Sequence, residues 1–290
     1  MTQHTVGLIG TGAMGIPMAL RLLAAGKKVV VYSRSIKPAL VDGGAAYVDT
    51  PRELAAQAHE VLVMLPDLPQ LEPLLIGDES LVAAARPLLV MVGSTSSAVR
   101  LRELAHSVRR ASEGRVELVD TPVSGGVEGA DAGTLSIMVG ADAEQFQRVA
   151  KALSPCGTVH HLGPLGAGEV AKACNQMVVS ATMLALGEAT VLAERSGIEP
   201  FKLMEVLSGG YAGSKLLEAK KRKLIEADYS PGGIAAYMVK DLGFARDIAE
   251  ATSTAAILLP ALQNAYEELV SAGLGEEDLA VVRRFVAERV

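Results

Sequence analysis

Tryptophan is absent from this 290-residue chain, and phenylalanine and tyrosine bring the aromatic share to only 3%. Proteins that hold single-stranded nucleic acid do so on aromatic platforms, and there is little here to build one. Positive charge is short as well: 27 lysines and arginines against 33 aspartates and glutamates leave a formal net charge of −6 and a pI near 5.5, which opposes a partner recognised through its phosphate backbone. Two cysteines, Cys156 and Cys174, are too few for a disulfide framework and lack metal-ligand spacing. His160 and His161 have no companion at that spacing either, so they read as strand-end residues and no metal is expected. The thiols suit a reducing cytoplasm. Residues 1–10 run straight into an apolar strand without a basic start or a cleavable stretch, so no leader is expected. The most apolar long segment, Met177 to Ala193, is interrupted by Glu188 and falls short of the roughly 20 residues of a membrane span. It reads as a helix buried by other protein, with no membrane partner.

What is present begins with Gly10-Thr11-Gly12-Ala13-Met14-Gly15, set between the apolar run Thr5 to Ile9 and the helical spacing of Met18, Ala19, Leu22 and Leu23, which Gly26 stops. Gly10 is expected to permit the tight turn, Gly12 to let backbone N–H groups approach a pyrophosphate, and Gly15 to let the helix pack closely on the sheet. A second strand, Val29 to Tyr32, follows at the distance of a β-α-β dinucleotide site. An acid that would grip an unphosphorylated ribose is missing after it. Ser33-Arg34-Ser35 stands there, with Lys37 nearby, so Arg34 is expected to stack on adenine and pair with a 2′-phosphate while the two hydroxyls donate to it. NADP is the expected cofactor, with NAD possible.

Strand-like runs recur at 61–65, 88–92, 116–119, 135–139 and 158–162, with alanine-rich helical patterns such as 51–58 and 98–109 between most of them. The alternation predicts an α/β fold, an N-terminal Rossmann-type doubly wound sheet, mostly parallel, with helices on both faces. Periodic apolar residues then dominate 167–196, 200–208, 214–227 and 231–270, so an all-α C-terminal domain follows. The boundary is placed at Gly163-Pro164, giving a cofactor domain of residues 1–163 and a helical substrate and oligomerisation domain of residues 164–290. A lone helical layer would leave apolar surface exposed, so a homodimer or homotetramer built through that half is expected.

Three loops fall where strand ends meet ligands. Leu65-Pro66-Asp67 and Gly93-Ser94-Thr95 follow strands at the carboxyl edge of the sheet, within reach of a nicotinamide ribose. In Asp120-Thr121-Pro122-Val123-Ser124-Gly125-Gly126 a hydroxyl beside two glycines exposes donors suited to a carboxylate. Behind them comes Gly166-x-Gly168-x-x-x-Lys172-x-x-Asn175-Gln176. Gly168, Lys172, Asn175 and Gln176 share one helical stripe, where a lysine and an amide can hold a carboxylate-bearing substrate and exchange a proton with its carbonyl oxygen. Gly168 is expected to leave room for substrate or cofactor above Lys172. Cys174 lies off the stripe and reads as a small buried hydrophobe.

Taken together, the glycine loop with Met14, the Asp120 to Gly126 segment, the Gly168 to Gln176 helix and Lys240-Asp241-Leu242 resemble the β-hydroxyacid dehydrogenases in order and spacing over nearly the whole chain. That family includes 3-hydroxyisobutyrate dehydrogenase, tartronate semialdehyde reductase and glyoxylate/succinic semialdehyde reductases. The resemblance implies hydride transfer between NADP(H) and a small 3-hydroxy acid or its semialdehyde. It implies Lys172 as the general acid/base, Ser124, Gly125, Gly126 and Asn175 on the substrate carboxylate and hydroxyl, Thr95 on the cofactor, and Lys240 on the nicotinamide side. A lysine of ordinary proton affinity is a poor base at neutral pH, so a closed cleft and nearby positive charge are expected to lower its pKa. Two departures bear on the substrate. Gly233 stands where many members carry phenylalanine, and Val92-Gly93-Ser94-Thr95-Ser96-Ser97 lacks the frequent Asp and Pro. Imine reductases share fold and cofactor but usually replace the lysine, and non-catalytic NADP-binding relatives tend to lose it; both stand as the alternatives.

Overall fold

The computed structural model describes residues 4–289, so residues 1–3 of the stretch read for a leader, and the last residue of the expected helical domain, lie outside the described residues. The chain divides into two compact units, Met1–Lys172 and Ala173–Val290. Strands of the first are β1 Thr5–Ile9, β2 Lys28–Tyr32, β3 Ala46–Val48, β4 Glu60–Val63, β5 Leu88–Val92, β6 Val116–Asp120, β7 Val123–Ser124, β8 Leu135–Gly140 and β9 Gly157–Gly163. Its helices are α1 Gly15–Ala24, α2 Pro38–Asp42, α3 Pro51–Gln57, α4 Leu68–Leu75, α5 Ala98–Ala111, α6 Gly126–Ala132 and α7 Ala143–Leu153, and α8 Ala167–Arg195 begins here.

The strand order is β3-β2-β1-β4-β5-β6-β8-β7, with β9 beside β8, and β1 to β6 pair parallel throughout. The winding reverses between β1 and β4, the place where doubly wound sheets open a ligand crevice beyond their strand ends. Every residue of β1, β4 and β5 is buried, as strands covered on both faces must be. Their alternate residues feed two cores. Leu8, Leu62, Leu89 and Met91 pack with Met18 and Leu22 of α1, whereas Ile9, Val61, Val63 and Val90 pack with Leu54 of α3, Leu71 of α4 and Leu101 of α5. Local signals set the helix starts: Thr50 accepts the Glu53 N–H ahead of Pro51, and Asp142 with Gln145 forms a capping box on α7. β8 runs antiparallel to β6 and β7, an addition that the alternating pattern did not announce.

Residues 173–290 hold the rest of α8 and α9 Pro200–Gly209, α10 Lys215–Glu226, α11 Tyr237–Ala251, α12 Leu259–Ser271 and α13 Val282–Glu288. Met183 and Leu186 of α8 pack with Leu217 and Leu224 of α10, Leu242 of α11, Tyr266 of α12 and Phe285 of α13. The apolar run over 231–270 is not one helix. Residues 232–236 are irregular because Asp278, fully buried, accepts the Gly233 N–H at 2.9 Å and the Lys220 ammonium at 2.7 Å, and Leu279 N–H donates to the Gly233 carbonyl. Segment 232–235 is thereby tied down at the residue that departs from the family pattern.

Candidate active site

Within the sheet unit, the ends of four neighbouring parallel strands carry the cofactor residues that sequence singled out there. Gly10 follows β1, with φ of 100°, and a Cβ there would lie 2.3 Å from the Met64 carbonyl oxygen that follows β4. Only glycine fits. Gly15 opens α1 so close to the loop that a Cβ would meet the Gly10 carbonyl at 1.9 Å, whereas nothing lies within 4 Å of the corresponding position at Gly12. Gly15 therefore serves packing, as expected, and Gly12 leaves the loop open on its outer side, with Thr11, Ala13 and Met14 around it. No side chain caps α1, the helix end that a pyrophosphate would occupy. The donor set fits a dinucleotide.

After β2, Arg34 and Ser35 are exposed and free to meet an adenosine phosphate, but the Ser33 hydroxyl donates to the Ser35 carbonyl at 2.6 Å. Its proton is turned into the loop. Leu65 and Pro66 follow β4, and Asp67 caps α4 by accepting the Leu68 N–H at 2.7 Å. Gly93 and Ser94 are buried after β5, Thr95 is half-buried beside them, and Ser97 starts α5 as its N-cap. Ser124 lies in β7, and Gly125 and Gly126 turn the chain with φ of 137° and 66° into α6.

Lys172 is 9% exposed, one and a half turns into α8. The start of that helix is fixed to the end of β6, because the buried Asp120 carboxylate accepts the Gly166 N–H at 2.7 Å and the Glu169 N–H at 2.8 Å. Gly168 does not leave room for a ligand. A Cβ there would lie 2.3 Å from the Met138 carbonyl and 2.8 Å from Asp120 Oδ2, so the glycine exists to seat the helix against β8 and β6. Glu169, 1% exposed, accepts the Ser96 N–H at 3.0 Å and pairs with the Ser96 hydroxyl at 2.9 Å. Burial raises the pKa of Asp120 against the pull of its backbone donors. Burial raises that of Glu169 well above the usual range, with Asp120 adding to the rise while Ser96 and Lys172 oppose it. Sequence reasoning named Asp120 and Ser96 within their segments without giving either a role, and passed over Glu169; its visible signal was an acid between two motif residues, Gly168 and Lys172.

In the helical unit Asn175 donates to the Gln176 amide oxygen at 3.0 Å, and Gln176 donates to the buried Asp241 carboxylate at 2.7 Å. Lys240 lies 3.9 Å from Asp241 and 5.4 Å from the centre of the Phe244 ring. Asn175, Gln176, Lys240 and Asp241 thus form one polar network across α8 and α11, and Gln176 and Asp241 are members to which sequence assigned no role. Cys174 is exposed, against expectation, because it falls on the side of α8 opposite the packed face; Cys156 is buried and its thiol is pushed up to about 12 by desolvation. His161 bonds the Ala141 carbonyl at 2.8 Å and stacks on Phe146, a structural role for one of the two strand histidines.

Known proteins match this arrangement over its full length. The family model described as the NAD binding domain of 6-phosphogluconate dehydrogenase matches residues 5–180, and that described as NAD-binding of NADP-dependent 3-hydroxyisobutyrate dehydrogenase matches residues 166–286. An NAD-dependent L-serine dehydrogenase of Pseudomonas aeruginosa is 34% identical, with 96% of each chain covered. The 2-hydroxy-3-oxopropionate reductase of Escherichia coli is 34% identical over 85% of this chain and 84% of its own. Among solved structures, the 3-hydroxyisobutyrate dehydrogenase of Mycobacterium tuberculosis with L-serine is 31% identical, covers 100% of both chains and superposes with a TM-score of 0.84. Imine reductases of Myxococcus stipitatus and Streptomyces aurantiacus, at 18% and 19% identity and TM-scores of 0.66, share the fold alone.

Proposed function

The chain belongs to the β-hydroxyacid dehydrogenases, NAD(P)-dependent oxidoreductases of hydroxy acids, and from that premise we propose that it transfers hydride between NADP(H) and a small 3-hydroxy acid or its semialdehyde, with Lys172 as general acid/base. The substrate class follows from what the names of its relatives share. L-serine, 3-hydroxyisobutyrate and 2-hydroxy-3-oxopropionate each carry an alcohol or aldehyde carbon two atoms from a carboxylate. 3-Hydroxyisobutyrate and tartronate semialdehyde are the substrates to try first. The observation that carries the chemistry is Lys172, nearly buried on a helix whose first turn is fixed to the carboxyl edge of the sheet. Such an amine is positioned rather than solvated, which is what general acid/base work requires.

The bound nicotinamide supplies the hydride acceptor in oxidation and the donor in reduction. In oxidation the Lys172 amine takes the substrate hydroxyl proton, and in reduction its ammonium returns that proton to the forming alkoxide. On the resemblance to the family, Ser124 and the Gly125-Gly126 backbone hold the carboxylate, Asn175 serves the substrate, and Lys240 the nicotinamide side. Leu65, Pro66 and Thr95 meet the ribose, and Gly10 to Gly15 meet the pyrophosphate. Lys172→Met is expected to lower turnover by at least ~10²-fold while the NADP(H) titration stays at its parent value. Retained turnover would remove the lysine from the chemistry.

The preference for NADP rests on Arg34, exposed after β2 with no acid beside it. Arg34→Ala should reduce kcat/KM with NADP(H) and leave that with NAD(H) near its parent value. A parent enzyme that prefers NAD(H) in steady-state kinetics would overturn this assignment. We also place the enzyme in the cytoplasm as a homodimer or homotetramer without a membrane partner. Free thiols at Cys156 and Cys174 support a reducing compartment, and although α8 is long and apolar enough to cross a membrane, Met183, Leu186 and Val191 on it are buried inside the protein.

A further inference from the structure

We propose that Glu169 is a positioning residue for Lys172: clamped by Ser96 one helical turn before the lysine, its buried carboxyl governs when the Lys172 amine takes up and gives up its proton. The inference rests on the acid/base reading of Lys172. Its geometry does not, because Ser96, Glu169 and Asp120 lie in the sheet unit and are joined by that unit's own hydrogen bonds. Residues at i and i+3 are neighbours on a helix surface, so the two side chains leave α8 on adjoining sides. The Ser96 N–H and hydroxyl meet one oxygen each of the Glu169 carboxyl, at 3.0 Å and 2.9 Å, which removes its freedom to swing away. Ser96 is itself 1% exposed and stands at the β5 to α5 turn, one residue after Thr95.

A carboxyl this deeply buried is costly as an isolated charge. The groups that face it are Asp120, at the end of β6 and engaged with backbone N–H groups, which adds to the rise in its pKa, and Lys172, whose positive charge opposes that rise. On α5, Arg102 donates to the Leu165 carbonyl at 2.9 Å and lies beside Gly166. Glu169 and Lys172 therefore titrate as a pair, and the state of one sets the proton affinity of the other. With the carboxylate present the ammonium is favoured, the form needed to protonate a carbonyl; without it the neutral amine, the base for alcohol oxidation, is reached at lower pH.

Glu169→Gln keeps the shape and both Ser96 partners, since its amide oxygen accepts the Ser96 N–H and its amide N–H donates to the hydroxyl, and it deletes the charge. Two readouts follow: the pH profile of kcat/KM for alcohol oxidation, and the pH dependence of Lys172 acylation by acetic anhydride in cofactor-free protein, read by peptide mass spectrometry. Both are expected to move to lower pH by about one unit. The NADP(H) titration is expected to stay in place. Ser96→Ala, run beside it, loses one donor to the carboxylate and should move both readouts in the same direction by less, so the question is answered even if the glutamine variant folds poorly. Superimposable profiles in the variants and the parent overturn the inference. Inactive Lys172→Met beside an unmoved Glu169→Gln profile overturns it alone; active Lys172→Met overturns the reading of the lysine and this inference with it.

Discussion

At the scale of single residues, the site stores two acids where an apolar interior would be less costly. Asp120 and Glu169 both hold their protons to higher pH than ordinary carboxylates, chiefly through burial. The folded chain therefore binds more protons than the unfolded one over the range that begins near pH 4 and ends at the raised native values. With that sign, the contribution of these groups to stability is greatest below the range and declines as pH rises through it. Glu169→Gln lacks one of the two slopes. Its melting temperature should gain on that of the parent as pH is raised from 4.5 towards 8, and melting curves that stay parallel over that interval would show that the carboxyl does not titrate as its burial demands. Gly168 teaches the opposite lesson at this scale: a glycine beside the proposed acid/base is there for the helix to touch β8, not for a ligand.

Among elements, the segment between α10 and α11 depends on one side chain. Asp278 receives Lys220 at 2.7 Å, the Gly233 N–H at 2.9 Å and the Ala280 N–H at 3.0 Å, so three parts of the helical unit meet on a carboxylate with no exposure. Removing one partner of a buried pair leaves the other charge uncompensated. Asp278→Ala should cost about 3–5 kcal/mol, measured by urea unfolding, and Lys220→Met should cost less because the backbone donors remain. A loss under 1 kcal/mol in the first variant would mean that solvent enters the site.

How much of each element was legible follows from where its cause lies in the chain. The glycine loop could be read because it sits in a local strand-loop-helix pattern, with Gly15 demanded by the Gly10 carbonyl a few positions earlier, even though the Met64 carbonyl that presses on Gly10 lies far along the chain. The doubly wound order followed from alternation of short apolar runs with helices. The break at 231–236 could not be read, since it is imposed by Asp278, more than forty residues later and silent in any local pattern. β3 was missed because it has only three residues, and β8 was found as a strand while its antiparallel direction depends on pairing with β6 and β7. Of the site, residue types announced Lys172, Ser124 and Asn175. The Ser96 to Glu169 clamp joins positions 73 apart, and only the folded chain brings them together.

For the whole molecule, the unpacked side of α8 is the feature with consequences for assembly. Val178 is 60% exposed and Leu192 69%, and with Ala185 between them they recur every seven residues along one side. A seven-residue apolar repeat on a helix is suited to a second helix of the same kind. Leu192→Glu is accordingly expected to yield monomers in light scattering at micromolar concentration, where the parent chain should be a dimer or larger. A parent chain that is monomeric at that concentration would end the oligomer reading. The same helix also limits how the gene can be cut. Asp120, buried in the sheet, is satisfied by Gly166 and Glu169, which lie after the last strand ends at Gly163. A recombination point placed after Gly163, where the sequence invites one, would hand the sheet to a new partner with a buried carboxylate stripped of its donors. Exchange of the helical half between relatives is therefore workable only if the first turns of α8 travel with the sheet, which makes the seam of this protein a stretch of helix rather than a loop.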